Sequence, residues 1–276
     1  MLAAMWRLIT WQRVPARGLR LRQPGLEAAL LLGYATVYVG FSWLTGLEIR
    51  ANPRPILGAT SFTSDAFYVL GFKLTALLLV PLLGFRLLGY RLRAIVPDGL
   101  ADAGGVHTPE RARWGLRARD WLVAALALAV GALLNARHFG PILTAAQGFT
   151  LPALAGRVAL GLAIPLFTAA LPEEIVYRGL LQTRLEAVAG RIVAVIGTAL
   201  LFTAWHLPSR FLLATGVEGR AGDFASVVMG TGLPVFVIGL VFGLLYDRYR
   251  RLVPLIAAHW GIDAVVGVAA MLRLPI

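Results

Sequence analysis

Leu171-Pro172-Glu173-Glu174-Ile175-Val176-Tyr177-Arg178-Gly179 sets two adjacent carboxylates and an arginine at the end of an apolar run that begins at Val158. Two later segments, Phe202-Thr203-Ala204-Trp205-His206 and His259-Trp260-Gly261-Ile262-Asp263, each place a histidine at i, i+4 spacing from a second group. On a helix that spacing shares one face. An acid at the centre of a membrane helix costs about 2.5–3.5 kcal/mol, so two of them do not face lipid. Acids and histidines gathered away from water do acid–base work or bind ions. We read Glu173, Glu174, Arg178, His206, His259 and Asp263 as one buried catalytic constellation.

Each group also has a plainer reading. Glu173 and Glu174 could sit in water at a helix end. Phe202 and His206 could be core packing, and His259 and Asp263 a private hydrogen bond within a bundle. Relative depth favours the first reading. If the chain turns near Gly190, Glu174 and His206 both lie sixteen residues from the turn. At 1.5 Å per residue that is roughly 24 Å for each, so the hairpin brings them to one level. Arg178 follows Glu174 by four residues and is its simplest partner, which leaves Glu173 for chemistry. Gly261 and Gly267 allow a close helix approach beside His259. Lys73 could snorkel or pair inside the bundle, while Glu27, Asn135, His107 and His138 sit near span ends or loops.

The elements that hold these groups are membrane helices. The chain has 276 residues, 58% hydrophobic and 14% charged, against about 25% charged in soluble domains. The net charge of +12 could suggest nucleic acid. However, the basic residues lie between apolar runs, as membrane topology requires, and nucleic acid is not expected as a partner. No cysteine is present, which excludes disulfides and thiolate metal sites. We expect an all-α polytopic bundle of about seven spans. They run near 27–47, 66–88, 121–136, 154–190, 192–207, 227–246 and 252–272, each close to the roughly 20 residues a span needs or longer. Leu207-Pro208 should end the fifth. Residues 1–24 read as a basic interfacial helix or tail, and 90–120 as a basic loop. Residues 1–150 then form a tail, three spans and a linker, and 151–276 a catalytic core. Sixteen basic residues fall on one side and six on the other, which sets the N-terminus in the cytoplasm.

In this order and in a polytopic chain, Glu-Glu-x-x-x-Arg, Phe-x-x-x-His and His-x-x-x-Asp resemble the CPBP family, also called Abi. It comprises type II CAAX prenyl endopeptidases and bacteriocin-processing or immunity proteins. The similarity runs from about Val158 to Met271. It implies an α-helical intramembrane protease in which Glu173 is the general base and activates a water with His206. By the same resemblance His259 and the residue at 263 face the developing oxyanion, while Glu174, Arg178 and Phe202 support the site. Many relatives carry Asn at the last position; here Asp263 orients His259 or joins a metal.

The chemistry of the residues agrees with this. Glu173 with His206 can bind and deprotonate water, and His259 can stabilise tetrahedral charge. Glu173, His206 and His259 could equally hold Zn²⁺ with an open position, although no His-Glu-x-x-His motif is present. The expected partners are a membrane-associated protein or peptide substrate and the lipid bilayer, in a bacterial cell membrane. A non-catalytic immunity or scaffold protein on the same fold, or a proton- or metal-coupled transporter, would keep some of the same groups.

Overall fold

Hydrocarbon offers no hydrogen-bond partner, so a spanning backbone has to satisfy itself within helices. The computed structural model describes residues 23–51, 67–89, 118–213 and 220–272. Among these there is no strand, only one isolated bridge between Arg220 and Asp223. Eight helices organise them: α1 (Pro24–Ala51), α2 (67–87), α3 (Ala118–Leu133), α4 (Phe139–Ala146), α5 (Leu151–Ala189), α6 (Arg191–Leu213), α7 (Phe224–Arg248) and α8 (Leu252–Met271). The expected tail in 1–24 and most of the expected loop in 90–120 lie outside the described residues.

The chain is an all-α, multi-pass membrane bundle. Among the described residues five helices are long and apolar enough to span: α1, α5, α6, α7 and α8. A sixth span arises if α3 and α4, bent by 65° across the short turn at Ala136–His138, count as one. The second expected span is helical over 67–87 without being among these. The fifth differs in its end. α6 passes through Pro208 and continues to Leu213. In a membrane helix, neighbours and Ser or Thr side chains can support the backbone groups that a proline frees.

α5 carries the paired acids and is the longest helix, at 39 residues. At 1.5 Å per residue it measures roughly 58 Å, about twice the hydrocarbon core. It ends where Gly190, at φ 83°, turns the chain into α6. Ion pairs tie this end together, buried on both sides except at the half-exposed Arg191. Arg184 meets Glu27 of α1 at 3.1 Å, Arg191 meets Asp247 at 2.7 Å, and Arg250 pairs with Glu186. Arg250 takes a left-handed backbone, φ 49°, in the tight turn from α7 to α8.

α8 is set by glycines. A Cβ on Gly131 would run into the Ala258 carbonyl, and one on Gly261 into the Leu128 carbonyl, so α3 and α8 touch backbone to backbone. Gly161 and Gly267 do the same for α5 and α8. Small residues are the usual means of close approach in membranes. Gly261→Ala should therefore lower the unfolding temperature in detergent, with overpacking costing about 1–3 kcal/mol. Gly156→Ala, where nothing lies within 4 Å of an added Cβ, should leave it unchanged or raise it slightly. Equal effects of the two changes on the melting curve would contradict the tight α3–α8 contact.

Candidate functional site

Adjacent residues on an α-helix point about 100° apart, so Glu173 and Glu174 meet different neighbours. The turn that holds them, Leu171–Glu174, is α-helical, and wider π-helical turns flank it at Leu166–Ala170 and Ile175–Gln182. Pro165 and Pro172 remove two backbone donors here. Such widened turns are frequent at functional sites. Both acids and Arg178 are buried, each at 1% exposure or less. They lie inside protein, which answers the alternative of a solvated helix end.

Glu174 is fully committed on one oxygen. Its Oε1 accepts from Arg178 Nη1 at 3.3 Å and sits 2.7 Å from His259 Nδ1. Arg178 also donates to the Gly239 carbonyl of α7 at 3.5 Å, and its guanidinium stacks on Phe202 and Phe242, 4.6 and 5.6 Å from their ring centres. The neighbouring Gln182 donates to the Gly243 carbonyl at 2.8 Å, fixing α5 against α7.

Glu173 is different. Neither of its oxygens has a hydrogen-bond partner, yet three cationic or imidazole groups surround it. Oε2 lies 4.0 Å from His206 Nε2 and 3.8 Å from His259 Nε2, and Oε1 lies 3.6 Å from Lys73 Nζ. His206 Nδ1 is 2.8 Å from the Phe202 carbonyl, which only accepts, so Nδ1 carries the hydrogen. Nε2 is thereby left as the reactive nitrogen facing Glu173. Each ring nitrogen of His259 faces a carboxylate: Glu174 at Nδ1, and Asp263 Oδ2 at 3.3 Å from Nε2. Phe202 packs edge-on against Tyr177 and contacts the rings of both histidines. His206 and Asp263 keep partial exposure, 23% and 33%, so the cluster around Glu173 is not closed on their side.

All seven residues singled out in the sequence, Glu173, Glu174, Arg178, Phe202, His206, His259 and Asp263, converge here. In kind, Glu173, His206 and His259 are a zinc donor set. Among the described residues, however, no three such groups are arranged to hold a metal ion. The steps proposed below run through none.

Two residues were not legible as part of the site. Lys73 was visible as a charge inside an apolar run, but nothing in the sequence pointed to Glu173 as its partner. Asn135 was expected to be solvated near a loop. Instead it donates to the Ile262 carbonyl at 2.7 Å and secures α8 beside Asp263.

Breaking one partner of a buried ion pair costs about 3–5 kcal/mol. Arg178→Ala should lower the unfolding temperature sharply. The double change of Glu174 and Arg178 to glutamine should recover part of that loss. Strictly additive losses in thermal unfolding would show that the pair does not interact.

Residues 155–265 match the family model described as type II CAAX prenyl endopeptidase Rce1-like. No curated protein and no solved structure matches the chain. The matched stretch begins within α5, ends within α8, and contains every member of the Glu173 cluster except Lys73. With the three paired motifs in order and their side chains in one buried site, residues 155–265 are similar to the type II CAAX prenyl endopeptidases, which supports the CPBP/CAAX protease resemblance for this part of the chain.

Proposed function

We propose that this chain hydrolyses peptide bonds of membrane-associated substrates with a water activated by Glu173. The observation that carries the reading is a buried carboxylate without hydrogen bonds, facing two imidazoles within about 4 Å. Residues 151–276 are the catalytic core and the first 150 complete the bundle around it.

The steps follow from the residues. Glu173 Oε2 and His206 Nε2 hold a water between them. Glu173 takes one proton as the water oxygen bonds to the scissile carbonyl carbon. The carbonyl electron pair moves onto oxygen, and the resulting oxyanion lies toward His259 Nε2. Glu174 and Asp263, one at each ring nitrogen, hold His259 in orientation. The tetrahedral carbon then re-forms its carbonyl, the C–N bond breaks, and Glu173 returns its proton to the leaving nitrogen. One water is consumed, giving a carboxylic acid and an amine. Asp263 accepts rather than donates when ionised, so it acts on His259 and not on the oxyanion.

The test is cleavage in liposomes of a quenched peptide that ends in a prenylated CAAX sequence, beside the same peptide without its lipid. The wild-type chain should cleave at least one. Glu173→Gln, His206→Ala and His259→Ala should each lower kcat by about 10²-fold or more, the scale of lost acid–base catalysis, with expression and melting near normal. Near wild-type turnover in any of the three removes that residue from the mechanism. Proton or metal flux without cleavage would replace the hydrolytic reading with transport.

The same reading takes the membrane to be that of a bacterial cell, and the sixteen-to-six division of basic residues supports an N-terminus in the cytoplasm. Reporter fusions should put residues 90–120 and the 247–251 turn in the cytoplasm and Ile276 outside. A cytoplasmic C-terminus would overturn this topology.

A further inference from the structure

The chain uses 25 arginines and a single lysine. That lysine, Lys73, comes from α2, outside the matched residues 155–265, and its Nζ lies 3.6 Å from Glu173 Oε1. The histidines approach only the other oxygen, with His259 and His206 Nε2 at 3.8 and 4.0 Å from Oε2. The two faces of one carboxylate are thus divided between a cation and two imidazoles. Lys73 also lies 5.9 Å from the Trp205 ring, and Trp205 stacks on Tyr38 of α1 at 4.3 Å, which gives the ammonium a fixed floor.

We infer that Lys73 is a positioning residue: it pins Oε1 of Glu173 so that Oε2 faces the reacting water. This deepens the hydrolytic reading above and rests on it. The choice of lysine has a physical reason. An ammonium is a compact point charge on a flexible stem, whereas a guanidinium is a planar fork that grips both oxygens of a carboxylate. Arginine at this position would draw Oε2 away from the histidines. Arg178 already serves the neighbouring acid, where support is wanted and reactivity is not. α2 is therefore part of the working site, through one charged group that reaches it from outside the family segment.

Turnover and thermal unfolding of the full-length protein test this with the same liposome reporter. Lys73→Met should lower kcat about 10- to 100-fold, since small misplacements of a reacting group carry penalties up to about 10²-fold. KM should stay within about twofold, because Lys73 acts through Glu173 and not on the substrate. Lys73→Arg is the decisive variant. It should melt like the wild type and still turn over at least about tenfold more slowly. In the Glu173→Gln background, Lys73→Met should shift melting less than it does alone. Wild-type kcat in Lys73→Met, or full rescue of kcat by Lys73→Arg, would overturn the positioning role. So would a rise in KM with kcat unchanged. A wild-type chain that cleaves neither peptide defeats the hydrolytic reading and this one together. Cleavage that ignores Lys73 defeats this one alone.

Discussion

A carboxylate buried inside a membrane bundle has to be compensated locally, because neither lipid nor bulk water can do it. The arrangement around α5 follows from meeting that demand unequally for two adjacent acids. Glu174 receives Arg178 and His259 on one oxygen, and the guanidinium itself lies over the rings of Phe202 and Phe242. Glu173 receives charge nearby but no hydrogen bond. In the proposed mechanism the first of these acids supports the site and its neighbour takes the proton.

The backbone makes the division possible. A regular α-helix would still separate the two side chains by about 100°. Pro165 and Pro172 and the widened turns beside them add a local irregularity where three other helices must deliver His206, His259 and Lys73. α8 reaches its place only because Gly131, Gly161, Gly261 and Gly267 let backbones touch. Asn135 then secures that helix one residue from Asp263. The charged ties at the far end of α5, Arg184 with Glu27 and Arg191 with Asp247, hold the hairpin that brings Glu173 and His206 together.

Much of this can be read from residues alone, and for definite reasons. Hydropathy marks spans because a bilayer imposes one length and one polarity on them. The turn at Gly190 and the sixteen-residue arms on either side are enough to match the depth of Glu174 and His206. The i, i+4 motifs gave the faces. What sequence could not give was contact between helices whose order in space is not written in the chain. Lys73 stood out as a charge in an apolar run, yet its partner is a hundred residues away. Glu27 does lie in the first turn of its span, but nothing in the sequence showed that Arg184 would bury it there. Pro208 suggested a helix end by its local preference, and tertiary packing overrode that preference. The bend between α3 and α4 likewise has no strong local signal beyond Asn135 and the short turn.

The division of labour between the paired acids is open to one direct measurement: turnover and melting of Glu173→Gln beside Glu174→Gln, in the same preparation. The predicted result is crossed. Glu173→Gln should lose turnover and melt closer to the wild type than Glu174→Gln does, because that carboxylate gives up an ion pair with Lys73 but no hydrogen bond. Glu174→Gln should melt lower and keep measurable turnover, because its loss loosens Arg178 and His259 without removing the base. If Glu174→Gln abolished cleavage at an unchanged melting temperature while Glu173→Gln still cleaved, the two roles would be exchanged and the proposed mechanism contradicted.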